Sequence, residues 1–464
     1  DKDGNRVEDE WKKSGDNWFW MSSEENGAMA TDALIEDDDN TYYVDSNGVM
    51  VTNPWVKVVN EDQDEDDDPA EYHYYYMQSN GKAYKGSGDK VNKKTIDGKQ
   101  YAFDEDGIML YGWVDEDGTT LNDEDGWADA TYYFGSWEDG SMKTGWQKIT
   151  VYDDSTDKED DFDYWFNFKS SGAARKDTRS YIDGYYYTFD KEGIMQDEWL
   201  IGTPSTVASP AEAYYKAESG YQKLGWVYTY EKNDEEGDEA WFYLVNSQKG
   251  AAFNRGQKTK GIAVKHENGT SEGKSDTVNL AAKVIKGKTY LFDGNGKMQT
   301  GVFKVAKDDV ISREGGSGDL EAGIYYFSKE SGSANGQMET GKVTIEYDGE
   351  DYVYYFDGTG KAYTNVIKDS CAYDANGVRV EAEDGNSYSL YNLGSENLPY
   401  LKVSNDKTYT QGTIAVSASG KVKKSGTVTL DGVKYTVKDY FVTAAEDKES
   451  DTAIEAGEAW VEAK

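Results

Sequence analysis

Soft and imidazole ligands are scarce here: the 464 residues contain one cysteine, Cys371, and two histidines, His73 and His266. A lone cysteine excludes a disulfide within the chain. A zinc site needs three or four clustered N/S ligands, and these three residues are scattered. Each histidine sits in a polar, acidic or Gly-rich stretch without a nucleophile motif beside it, which argues against Ser-His-Asp or Cys-His chemistry. There is no run of 18 apolar residues, so no membrane span is expected. No signal peptide is visible, and the abrupt opening "DKDGNRVED" reads as a mature or excised segment. Positive charge is also short. Lys plus Arg number 49 against 89 Asp plus Glu, giving −40 at pH 7. Nucleic-acid binding runs on clustered Lys and Arg, so such a partner is disfavoured. A cationic partner, metal ions or a salty exterior would suit this field better.

Aromatics and glycine are abundant: 38 Tyr, 13 Trp, 14 Phe and 49 Gly. Acidic disordered chains are poor in aromatics, so this chain is expected to fold with rings as its cement. The rings recur in a pattern of two or three aromatics, a short Asp/Ser/Asn stretch, Gly, then Met or Ala. It is visible in "YYVDSNGVMVTNPW" (42–55), "YAFDEDGIMLYGW" (101–113), "YYYTFDKEGIMQDEW" (185–199) and "YYFDGTGKAYTN" (354–365). Roughly fourteen copies run along the chain, with weaker ones around 18–33, 214–226, 371–382 and 412–426. Asp-Gly between alternating arms, as in "RSYIDGYYYTF" (179–189), signals a hairpin. A single hairpin is marginal in water, but stacked hairpins cover one another's aromatic faces, and this is solenoid logic. The Gly after each Asp/Asn run is expected at positive φ. Met50, Met109, Met195 and Met298 recur at one place in the hairpin and are expected to fill the gap between hairpins. The acidic stretches 60–71, 153–163 and 231–240 are expected at hairpin tips, where length is tolerated. Tyr75, Tyr133 and Tyr326 are expected to pack inward, because adjacent side chains on a strand alternate faces.

The motif "YYFD-x-x-G-x-M-x-T-G-W" resembles the cell-wall-binding repeats of Gram-positive surface proteins. These include choline-binding modules, glucan-binding repeats of glucosyltransferases and receptor-binding repeats of large clostridial toxins. The resemblance covers most of residues 18–380. It implies an all-β solenoid of stacked β-hairpins wound as a superhelix. It also implies an aromatic cage between hairpins, made by the Gly-Trp indole, the first aromatic of the next aromatic run and a third ring from the following hairpin. Such cages hold quaternary ammonium groups by cation–π attraction, while glucan-type relatives stack sugars on the same kind of ring. Carried over by position, Trp146 matches Gly-Trp, and Trp165, seven before Gly172, matches the first aromatic. Trp226 pairs likewise with Trp241, and Trp55 with Tyr74. Trp113 is a proper Gly-Trp, yet Thr131 stands where its partner is expected. Gln100 or Thr289 holds the partner position in Asp-Gly hairpins, with Tyr186 the aromatic exception. Val302 and Val353 stand where Trp and its partner would be. Each aromatic can equally serve as mortar between hairpins, and both roles stay open.

Paired carboxylates abound, but a hairpin stack offers no obvious cleft for a glycosidase pair, so no enzyme is expected. "DKDG" (1–4), "DEDG" (104–107) and 115–126 hint at calcium without reaching the EF-hand spacing, so no metal site or cofactor is assigned. From 383 onward the chain turns Thr/Val-rich. The expected division is a repeat solenoid over 1–382, diverged β-hairpins over 383–442 and an acidic tail over 443–464 that forms a short helix or a cap. Two function classes follow. One is a secreted, non-catalytic module attaching a bacterial surface protein to cell-wall polymer or glycan. The other is a surface stalk or filament subunit that self-associates end to end. A host-glycan adhesin is a third, narrower option.

Overall fold

The computed structural model describes residues 6–63, 69–123, 125–154, 159–201, 212–232, 234, 237–246, 250–254, 262–266, 277–329, 335–347, 349–393, 412–450 and 453–454. They are built almost wholly of β-strands in antiparallel hairpins, and the one helix among them is the single turn Gly126–Asp129. The chain divides into two compact units, Asp1–Lys223 and Leu224–Lys464.

In the first unit, hairpin follows hairpin. Glu10–Ser14 pairs with Asn17–Ser22, Ala33–Asp37 with Asn40–Val44, and Trp55–Val59 with Tyr72–Tyr76. Gly145–Asp153 then pairs with Asp160–Phe168, and Thr178–Ile182 with Tyr185–Phe189. The Asp-Gly signal is read correctly. Asp183 and Gly184 sit at φ +48° and +93°, the positive pair that suits the twist of a two-residue turn. The acidic stretches 60–71 and 231–240 fall at the connections of their hairpins, whereas of 153–163 only 154–159 is connection and Asp153 and Asp160–Asp163 belong to the paired strands; 64–68, 155–158, 233 and 235–236 are outside the described residues.

What stacks the hairpins is a repeated hydrogen bond. After each second strand the chain turns back through a glycine, and the amide just beyond donates to the preceding hairpin. Met50 donates to the carbonyl of Trp18 at 2.9 Å, Met109 to Tyr74 at 2.8 Å, and Met195 to Trp165 at 2.8 Å. In the second unit Met338 donates to Thr289 and Ala362 to Ile324, both at 2.8 Å. The turn is held by its own aspartate. Asp104 accepts from the amides of Asp106 and Ile108, and Asp374 from those of Asn376 and Val378. The carboxylates of these D-x-x-G turns thus cap backbone donors of their own loops.

The recurrent Met-Gly pairing has a steric cause. Gly48, Gly81, Gly140, Gly172, Gly220, Gly336 and Gly360 all take positive φ. A Cβ added at any of them would lie 2.1 to 2.6 Å from the side chain of Met29, Met50, Met109, Met142, Met195, Met298 or Met338 respectively. Each methionine lies flat across the turn of the following hairpin, so only glycine fits beneath it. Tyr75 and Tyr326 are buried and Tyr133 packs on Trp113 at 4.7 Å, but Tyr325 is buried as well, because the strand it shares with Tyr326 is covered on both faces.

The second unit departs from a simple stack in one place. Ile262–His266 inserts between Thr277–Ile285 and Gly301–Val305, joining neighbouring hairpins sideways into a seven-stranded sheet. Toward the C-terminus the packing turns aliphatic, with Val428, Val437, Val442, Ala415 and Ala445 around Tyr435. Of segment 443–464, the first five residues continue the strand Phe441–Asp447 rather than a helix, because they pair with Val433–Lys438. Residues 451–452 and 455–464 lie outside the described residues.

Candidate inter-hairpin aromatic sites

Antiparallel register decides which rings share a face, since directly opposed residues point the same way. In the 145–168 hairpin Trp146 faces Asn167 and Lys148 faces Trp165. Trp146 and Trp165 are therefore diagonal neighbours on one face, with ring centroids 6.4 Å apart and nearly perpendicular. The opposite face, with Ile149, Val151 and Phe166, is buried against Trp113 and Trp127. The next hairpin meets Trp146 with Tyr187 at 4.7 Å and Phe189 at 5.7 Å. Trp165 keeps 37% of its surface open.

The same construction recurs with different residues. Trp226 lies 6.1 Å from Trp241 and is met by Tyr290 at 4.8 Å and Phe292 at 5.8 Å. Trp241 is 36% exposed, and Tyr228 lies beside it at 5.2 Å. Trp55 is met by Tyr101 at 4.9 Å and Phe103 at 5.8 Å, while Tyr74, in the position equivalent to Trp165, is half-buried. The expected pairs are thus brought together on shared faces, with unequal roles inside each. The first indole of each pair meets the following hairpin; Trp165 and Trp241 remain at the surface, while Tyr74 is half-buried.

Two aromatic positions, one of them a pair of rings, escaped the sequence reading. Trp11 and Trp18 are diagonal neighbours in the 10–22 hairpin, with Tyr42 of the next hairpin 5.1 Å from Trp11 and Trp18 itself 38% exposed. No Gly-Trp motif marks this site, because the indole lies in "EWKKSGDNWFW"; the signal was two tryptophans flanking a tight turn. Trp137 was the other. Its ring lies 6.4 Å from both Tyr72 and Tyr74, and with His73, Asp104 and Asn122 it lines a cleft of about 550 Å³. The Trp113 position is closed, as the missing partner implies. Trp113 is 8% exposed, and Trp127 of the single helical turn seals it with a bond from its indole N–H to the Tyr152 carbonyl. Val302 and Val353 are buried as well.

Charge distinguishes the Trp165 site. A cleft of about 820 Å³ beside this indole is lined by Asp153, Asp163, Asp190, Glu192, Asp197 and Glu218, with Met195 at its wall. Lys148 pairs with Asp163 at 2.8 Å, leaving the cleft acidic. Burial lifts the Asp190 carboxyl to about 6, although the amides of Ile194, Gly193 and Glu192 pull the other way. Burial likewise raises Asp104, Asp293 and Asp374, which hold the equivalent turns.

These raised values predict a pH dependence of stability. A carboxyl whose folded pKa exceeds its unfolded value of 3.8 binds its proton more tightly when folded. Its contribution is complete below 3.8 and is lost as pH rises through about 6. The melting temperature is therefore expected to climb as pH falls from 7 toward 5, helped by relief of the net negative charge. At Asp139, burial is outweighed by hydrogen bonds from Lys143, Ser141 and Lys99, which hold it at about 2, so its contribution is lost only in stronger acid. Thermal melts across this range check the expectation, and a fall from pH 7 to pH 5 would contradict it.

No protein-family model matches the chain, and no curated protein matches it. Solved structures similar to it include choline binding protein F from Streptococcus pneumoniae, crystallised in the presence of a peptidoglycan analogue. That similarity has 17% identity and a TM-score of 0.36, covering 81% of this chain and 100% of that one. Another is the modular autolysin LytC from Streptococcus pneumoniae in complex with a synthetic peptidoglycan ligand, at 18% identity and TM-score 0.33, covering 64% of this chain and 49% of that one. A third is an alternansucrase in complex with isomaltononaose, at 16% identity and TM-score 0.16, covering 97% of this chain and 23% of that one.

Proposed function

We propose that this chain is a non-catalytic extracellular module that holds a cell-wall polymer or glycan on aromatic sites between its hairpins, attaching a bacterial surface protein. The observation that carries this reading is the split within ring pairs. In two hairpins one indole is met by two rings of the next hairpin while a second ring stands open beside it, Trp165 or Trp241; in the 10–22 hairpin Tyr42 meets Trp11 and Trp18 stands open. Burial alone would have closed both. A fixed ring beside an open one is a preorganised platform for a sugar face or a quaternary ammonium group. The carboxylates around Trp165 favour the cationic kind of ligand there. A cation on an exposed ring is worth about 0.5–1 kcal/mol, so one such site binds weakly. Repetition along the chain supplies avidity toward a polymer.

Titration of intrinsic Trp fluorescence with choline and then with α-glucan oligomers tests this. A saturable response is expected, diminished in Trp165→Ala and in Trp241→Ala. Silence toward both ligand classes, with concentration-dependent elongation in light scattering, would instead support the self-associating stalk.

A further inference from the structure

The 178–189 hairpin carries the inter-hairpin position with its chemistry inverted. In the 145–168 hairpin Gly145 faces Phe168, Trp146 faces Asn167 and Lys148 faces Trp165. In the 178–189 hairpin Thr178 faces Phe189, Arg179 faces Thr188 and Tyr181 faces Tyr186. The stacking bond fixes the same alignment: Met195 donates to the carbonyl of Trp165, and Gln222 to that of Tyr186 at 2.7 Å. Arg179 thus stands where Trp146 stands, and Tyr186 where Trp165 stands. A guanidinium replaces the wedged indole.

The side chains around it are ordered as a site. The Arg179 guanidinium lies 3.5 Å from the centre of the Tyr186 ring. Its Nε and Nη2 donate to the Gln222 amide oxygen, which is neutral and leaves the charge uncancelled. Among the described residues no carboxylate forms an ion pair with Arg179, in a chain with 89 carboxyl side chains to spare. Tyr181 lies 4.9 Å from Tyr186, and the two are 64% and 40% exposed. Stacking on Tyr186 and the Gln222 bonds hold the cation in one orientation beside the exposed Tyr181 ring.

We propose that this face binds a saccharide bearing a carboxylate: the sugar ring lies on the open Tyr181 ring, and the anionic oxygens meet Arg179, which Tyr186 holds in place. The aromatic face accepts C–H groups of a pyranose, and a planar guanidinium suits a carboxylate. The chain's overall negative charge does not forbid this. Exposed charges are screened beyond about 8 Å at physiological ionic strength, so local charge decides. The site is separate from the Trp sites and takes ligands of the opposite sign to the acidic Trp165 cleft.

Isothermal titration of the whole chain with trigalacturonate in physiological salt tests the proposal, with its fully methyl-esterified form as the neutral control. Binding of the acid is expected, with the ester weaker by about tenfold or more, the loss typical of a charge-assisted hydrogen bond. Arg179→Gln is expected to cost about the same factor. Tyr181→Ala is expected to cost on the order of fivefold, and its exposure keeps the fold safe. Arg179→Gln should leave the choline-induced Trp fluorescence response unchanged, so this site and the Trp sites succeed or fail separately. No binding of the acid at millimolar concentration, equal binding of the ester, or an unaltered affinity in Tyr181→Ala overturns the proposal.

Discussion

Trp146→Ala is expected to destabilise the first unit by about 2–4 kcal/mol, reaching the range for a buried aromatic only in part because the indole is half-buried. Trp165→Ala, one diagonal step away, should cost less, about 1 kcal/mol, because more of its surface is open. Trp146 is held by Tyr187 and Phe189 of the next hairpin, and its removal takes away the ring both pack on. Trp165 has 37% of its surface open, so less packing is lost with it. The two variants should therefore exchange rank between assays: the first reads out in urea or thermal unfolding, the second in ligand titration. In a repeat stack the loss propagates chiefly to neighbouring hairpins, so the transition should also broaden. Equal destabilisation by both substitutions would show that Trp165 is mortar, and the open-ring reading of the sites would fall with it.

Gly172→Ala is expected to cost about 2–4 kcal/mol, through two separable causes. The residue sits at φ +86°, where a Cβ is strained, and that Cβ would lie 2.2 Å from the Met142 sulfur. Gly145→Ala provides the control. Its φ is +70°, but nothing lies within 4 Å of the added Cβ. It should carry the backbone strain alone, about 1 kcal/mol. Adding Met142→Ala to Gly172→Ala removes the collision but not the strain. Relative to Met142→Ala alone, the glycine substitution should then cost no more than it does at Gly145. Chemical denaturation of the four variants measures this cycle. If Gly145→Ala and Gly172→Ala cost the same in the native background, the methionine contact adds nothing to the stack.

Much of this was legible from local pattern. The Asp-Gly turns, the inward tyrosines and the positive-φ glycines all depend on residues within a few positions of one another, and the methionine gap-fillers were legible from their recurrence at one place in the repeat. Once a turn is located, antiparallel register follows. Trp146 and Trp165, or Trp226 and Trp241, then fall on one face without knowledge of anything else. Trp11 and Trp18 obey the same rule and were missed because the motif, rather than the register, guided the reading.

Sequence alone determined the hairpin, its turn chemistry and the ring pairs within it, because strand periodicity and steric limits on φ act over short separations. Tertiary structure decided which ring of a pair is wedged and which stays open, since that depends on the next hairpin's Tyr187, Tyr290 or Tyr42. It also decided that Trp127 closes the Trp113 position, that Trp137 joins Tyr74, and that Arg179 takes the place of an indole. Each of these is a contact between hairpins, and the pattern within one hairpin is silent on what its neighbour lays against it.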